Sequence, residues 1–244
     1  MQQPDCCTKC YFMIETIILF GIEISLFYAF WFLGMIAALA TGLLLRKEYG
    51  LSVSKCIIYI SLDICMGIIL TMFMSWLSGG GKMSGMNFVR IVSIAWIYFL
   101  ALAYILKDPA HKILDFLTIK GVFLYVVVHI GCVFQGCCHG YPSNWGMYSN
   151  VTGYVCFPIQ LIEVISNLLI GIVLLFMRKN VKYQGLLNPW YMVMFGATRL
   201  VTEFFRDNKK LLWGLSEMSL HALAALILGS IAIFVVSQRK ERIK

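Results

Sequence analysis

Seven long apolar runs separated by short polar breaks set the pattern of this chain. Residues 24–45 continue for 22 positions without a charge, between Glu23 and the pair Arg46 and Lys47. At about 1.5 Å per residue such a helix is roughly 33 Å long, enough to cross a hydrocarbon core of about 30 Å. Residues 56–77, 88–106, 113–134, 158–177, 186–205 and 218–236 repeat the pattern, so seven transmembrane helices are predicted. The second run ends in the glycine-rich stretch 79–85, and Arg90, near one end of the third, can snorkel its charge to the interface. No basic stretch precedes the first run, which reads as a retained span and not as a cleavable leader. Residues 10–22, with Glu15, are expected in the outer interface.

Composition excludes the soluble alternative. Apolar residues make up 60% of the 244 and charged residues 13%, against about 25% charged in soluble domains. The formal charge of +8 adds sidedness, because the cations flank the spans instead of forming a nucleic-acid face; no nucleic-acid partner is expected. Twelve of the 20 Lys and Arg fall in the alternate segments 46–55, 107–112, 178–182 and 237–244, against six (Lys9, Lys82, Arg90, Arg206, Lys209, Lys210) on the other side. That bias puts the N-terminus outside and the C-terminus in the cytoplasm. The expected fold is an all-α polytopic membrane protein. Its parts are an extracytoplasmic or interfacial N-terminal segment (1–23), one seven-span membrane domain that carries any catalysis (24–236) and a basic cytoplasmic tail (237–244).

Ionisable residues inside the spans are the candidate chemistry, since a charge at mid-bilayer costs about 2.5–3.5 kcal/mol even on lenient insertion scales. Asp63, His129, Glu163, Arg199 and Glu203 are such residues. Arg199 and Glu203 are four apart and share one helix face, so one reading is an interior ion pair that only holds helices together. Their depth suggests more. On the predicted topology the outer half of the sixth span carries Arg199, Glu203 and Arg206. The fifth span begins outside with Gln160 and Glu163, and the fourth ends outside with His129. Three segments thus bring polar groups to one level, where a positive cavity reached from lipid suits a phospholipid headgroup.

Several ordered segments between about residues 25 and 236 resemble the bacterial prolipoprotein diacylglyceryl transferase family. VHIGCVFQGCCHGYPSNWGMYS is similar to the family's Gly-Arg-Leu/Ile-Gly-(Asn or Cys)-Phe signature with its later glycine, proline turn and tryptophan-glycine. CFPIQLIE is similar to the motif His-Pro-(Ser or Thr)-Gln-Leu-Tyr-Glu, and FGATRLVTEFFRDN keeps Gly-x-x-Arg-x-x-x-Glu-(Phe or Tyr)-Phe-Arg. SLFYAFWFLG aligns Tyr28 with an N-terminal tyrosine, and 79–85 takes the place of a His-Gly-Gly loop. The resemblance implies transfer of the diacylglyceryl group of phosphatidylglycerol to the lipobox cysteine thiol of a preprolipoprotein signal peptide. Glycerol phosphate is released at the outer leaflet of the bacterial cytoplasmic membrane, among membrane lipids, and neither metal nor organic cofactor is needed. It assigns Arg199 as the phosphate-side cation, Glu203 as its orienting partner and Arg206 as a second headgroup contact. Gln160 and Glu163 line the cavity, Tyr28 bonds the lipid, and Gly131, Gly136 and Gly140 let the chain approach the headgroup. The chain departs from the family at three places: His129 stands where an arginine is usual, Phe157 where a histidine is usual, and the glycine loop has Lys82 but no histidine. His129 is expected to supply the missing cation or, as a neutral ring, a base for the acceptor thiol. A divergent relative with another lipid or acceptor is the alternative.

Cysteine usage offers rivals. Cys132, Cys137, Cys138 and His139 suit a thiol-redox protein, but Cys-x-x-Cys is absent there and a bond between neighbours is strained. Small thiols beside glycines also simply permit close packing. Zinc held by Cys137, Cys138 and His139 with Cys6, Cys7 or Cys10 lacks the usual ligand spacing, so no metal is expected. A transporter commonly shows repeated halves, and none is visible.

Overall fold

The computed structural model describes residues 16–19, 22–78, 88–149, 151–180, 182, 184–206, 210–212 and 214–242. Among these residues there are seven α-helices: α1 (Leu26–Leu45), α2 (Val53–Ser78), α3 (Phe88–Ile105), α4 (Ala110–Gln135), α5 (Ile159–Met177), α6 (Leu187–Glu203) and α7 (Glu217–Arg242). Five of them, α1, α2, α4, α5 and α7, are long and apolar enough to cross a membrane. α6 has 17 residues and carries Arg199 and Glu203, and the apolar part of α3 that meets the same standard of composition is the shorter Trp96–Ile105.

α4 is the hub. Of its most apolar window 61% is buried, against 22% for α1 and 17% for α2, which leave large apolar side chains such as Leu44, Ile69 and Phe73 exposed. That inside-out distribution is what a lipid solvent selects. α1 lies antiparallel to α4 through small residues: a Cβ on Gly34 would meet Val128 at 2.8 Å, and one on Gly131 would meet Phe30 at 3.0 Å. α5 and α6 turn matching faces to each other and to α4. The buried positions of α5 include Gln160, Glu163, Val164, Asn167, Ile170, Gly171 and Leu174, and those of α6 include Met192, Phe195, Gly196, Arg199, Thr202 and Glu203, both at helical spacing.

Buried charges inside the bundle do architectural work. Asp63 of α2 binds Lys120 of α4 and the Tyr98 hydroxyl of α3, which satisfies a charge that lipid could not. Asp115 of α4 accepts the backbone N–H of Gly185 at 2.5 Å and of Leu187 at 3.0 Å. It thereby caps α6, whose own N-cap residue, Leu186, supplies no side-chain acceptor.

Three short hairpins were not visible as strands in the sequence. β1 (Thr16–Leu19) pairs with β2 (Ile22–Ser25) ahead of α1, β3 (Pro142–Ser149) with β4 (Tyr154–Cys156) between α4 and α5, and β5 (Lys210–Leu212) with β6 (Leu215–Ser216) between α6 and α7. All three stand at the same end of the bundle, and β1 and β2 take up part of the segment expected to lie in the interface. The glycine stretch 79–85 with Lys82, and Cys6, Cys7 and Cys10, lie outside the described residues.

Candidate active site

At the hairpin end three backbone segments are stitched together. Gly140 N–H donates to Phe157 C=O (3.2 Å), Phe157 N–H to Tyr141 C=O (2.9 Å) and Tyr141 N–H to Phe205 C=O (3.0 Å), and Gly140 is bridged to Arg206. This stitching fixes the end of α4, the start of α5 and the end of α6 with respect to one another. Each glycine singled out in the sequence has a local reason. Gly136 ends α4 in the left-handed region at φ 67°, its carbonyl accepting from Ser149 Oγ at 2.7 Å. A Cβ on Gly140 would fall 2.7 Å from Phe205 O, and one on Gly131 3.2 Å from Phe27 O.

The centre of the site is Glu163, one turn into α5 and 1% exposed. Its Oε1 takes the Arg199 guanidinium and, at 3.1 Å, the Thr202 hydroxyl; its Oε2 takes Arg206 Nη2 at 2.6 Å and His129 Nε2 at 2.7 Å. Four donors from three segments meet on one carboxylate. Arg199 Nη2 also reaches Glu203 Oε2 at 3.2 Å, the pair that the spacing of four predicted, and Ser216 Oγ donates to Glu203 Oε1 at 2.5 Å. Arg199, Arg206, His129 and Glu203 are all buried, and the Nε of each arginine has no partner among the described residues. An unpaired buried donor is costly, so each of these two N–H groups leaves a hydrogen bond unmade in the cluster.

Two guanidiniums face two carboxylates in this cluster, and His129 adds a ring donor. The Nε2 of His129 points at a carboxylate and therefore carries hydrogen, while its ring stacks on Tyr125 at 4.5 Å. Tyr125, Glu163, Asn167, Phe195, Thr198 and Arg199 close around a narrow space beside this cluster that has no room for a water molecule.

Of the residues singled out in the sequence, His129, Glu163, Arg199, Glu203 and Arg206 are brought together. Gln160 Nε2 donates to Cys137 C=O at 2.7 Å, tying α5 to the turn after α4. Tyr28 is not joined to them: it is 67% exposed, with its ring edge-on to Phe27. Phe157, at the place of the family histidine, stacks on Phe205 at 5.2 Å and meets Trp145 edge-on, as an apolar wall. Thr202, Ser216 and Tyr125 were not singled out, although Thr202 stands three residues after Arg199 on the same face. Cys138, outside the helices, has its thiol held well below the usual range, first by thiol donation from Cys132 and Cys137 and then by the charges of Arg206 and His129.

The family model for prolipoprotein diacylglyceryl transferase matches residues 15–236. The chain belongs to that family. Among curated relatives named phosphatidylglycerol–prolipoprotein diacylglyceryl transferase, one from Dehalococcoides mccartyi is 27% identical over 134 residues, 51% of this chain and 51% of the relative. One from Campylobacter lari is 28% identical over 144 residues (56% and 52%), and one from Clostridium perfringens, the second such transferase of that organism by its name, is 26% identical over 120 (46% and 47%). The chain thus spans about half the length of the curated relatives it matches. Family membership and the apolar helices together make this a multi-pass membrane protein.

Proposed function

We propose that the protein transfers the diacylglyceryl group of phosphatidylglycerol to the lipobox cysteine of a prolipoprotein, at the outer face of the bacterial cytoplasmic membrane. The observation that carries this reading is the pair of buried arginines on one carboxylate, each with an Nε unpartnered among the described residues. A phosphodiester carries one negative charge and several acceptor oxygens, and phosphatidylglycerol presents both at this depth. The relatives' names supply the lipid and the acceptor class.

In this reading Arg199 and Arg206 hold the phosphate, Glu163 and Glu203 keep the guanidiniums oriented, and His129 replaces the charge of the family arginine. The acceptor sulfur forms a bond to the glyceryl carbon as the bond from that carbon to the phosphate oxygen breaks. Negative charge gathers on the departing phosphate, where buried cations act in low dielectric and without reorganisation. The thiol's proton leaves with the glycerol phosphate, so the reaction balances with no cofactor. Seven spans with the N-terminus outside fit this arrangement. Arg46, Lys47, Lys55, Lys107, Lys112, Arg178, Lys179 and Lys182 then occupy the end opposite the site, in keeping with the positive-inside bias.

Expression in a bacterium depleted of its own transferase tests the proposal. Restored thioether lipidation of resident lipoproteins is expected. Continued accumulation of unlipidated precursors, with the protein inserted in the membrane, would refute it.

A further inference from the structure

The turn that ends α4 brings three cysteine sulfurs together. Sγ of Cys132, in the last turn of α4, and Sγ of Cys137 and Cys138 all lie within 4.8 Å of one another. The backbone is bent to achieve this: Gly136 is left-handed at φ 67°, and so is Cys138 at φ 60°, a conformation uncommon for a residue with a side chain. Such strain persists only where the surroundings fix it, and here Gln160 holds the Cys137 carbonyl, Ser149 holds that of Gly136, and Gly140 is pinned by Phe157. Small residues for close packing explain cysteine as a type. They do not explain three thiols converging, one of them on an exposed, strained residue.

We propose that Cys132, Cys137 and Cys138 form a three-thiolate site for one thiophilic divalent cation of the zinc class. Metal–sulfur bonds of about 2.3 Å in a tetrahedral site put sulfurs roughly 3.8 Å apart, a contraction of about 1 Å that thiol rotation can supply. Three thiolates on a divalent ion carry one net negative charge. Arg206, buried and bridged by its backbone to Gly140 two residues beyond Cys138, brings a positive charge to the same turn. No further His, Cys, Asp or Glu atom joins the group among the described residues, so one tetrahedral position is left to water or an incoming ligand. Open sites of this kind differ from closed four-ligand structural sites. The whole ligand set comes from seven consecutive residues, a spacing unlike paired Cys-x-x-Cys units, which is why motif spacing alone gave no sign of it.

The test uses the full chain in detergent, reduced and stripped of metal, with Cys6, Cys7 and Cys10 changed to Ser so that only the inner thiols are read. Titration with Cd(II) should give ultraviolet thiolate-to-metal absorption saturating at one ion per chain, with proton release and with affinity rising with pH. Cys138→Ser should weaken binding by more than about 100-fold, beyond what loss of an outer partner costs. Cys65→Ser, in α2 and away from the cluster, should leave it unchanged. Cys138 is exposed, so its variant is readable even where Cys132→Ser fails to fold. Absence of saturable binding overturns the proposal, as does equal affinity in Cys138→Ser. A disulfide between two of the three thiols, found after trapping thiols in intact membranes, overturns it in favour of a redox pair.

Discussion

Arg199 is buried with one nitrogen on Glu163, another within reach of Glu203 and its Nε unpartnered, so its planar fork is used on several sides at once. Lysine keeps the charge but offers a single point of contact. Arg199→Lys is expected to lower diacylglyceryl transfer at least about tenfold while the protein still inserts, measured as thioether product per inserted protein. Near-normal transfer by both Arg199→Lys and Arg199→Ala would reduce the residue to a structural partner of Glu203. His129 is tested by a different pair. If it supplies charge, His129→Arg retains transfer and His129→Gln loses it; if it is the base, both lose it, because arginine is not deprotonated in proteins. The sequence singled out His129, Glu163, Arg199, Glu203 and Arg206, which the fold gathers into one cluster, but it did not show that Glu163 lies at the centre. Its four partners lie between 34 and 43 residues away, and only the fold shows that they converge on one carboxylate.

At the scale of the elements, apolar runs located the helices well because lipid demands long uninterrupted helical segments. The run at 158–177 corresponds to α5 (Ile159–Met177) and that at 113–134 to α4 (Ala110–Gln135). The hairpins stayed hidden: strands of two to eight residues in polar connections carry too few alternations to register. Asp115 was hidden for another reason, since an acid in an apolar span gives no hint that it caps a helix some 70 residues later. Asp115→Ala strands the N–H groups of Gly185 and Leu187. The expected cost is about 1–3 kcal/mol, seen as a lower thermal midpoint in detergent, with Asp115→Asn recovering part of the loss through its remaining acceptor oxygen. An unchanged midpoint would mean that another group satisfies the start of α6.

For the whole molecule, the proposed chemistry depends on orientation, because it requires the hairpin end to face the outer leaflet. In an otherwise cysteine-free protein, a membrane-impermeant maleimide should label Ser143→Cys from outside in intact cells and leave Lys182→Cys unlabelled; the reverse would put the site on the cytoplasmic side. In the proposed function the helix bundle, the stitched turn after α4 and the Glu163 cluster together grip a phosphodiester at membrane depth. The most direct measurement is the mass of a lipobox peptide incubated with the purified protein in phosphatidylglycerol vesicles, beside vesicles of a zwitterionic phospholipid. The account predicts one diacylglyceryl thioether per modified peptide and an equal amount of glycerol phosphate with the anionic lipid, little with the zwitterionic one, and loss of both products in Arg199→Ala. An unmodified peptide, or equal product from wild type and Arg199→Ala, would contradict it.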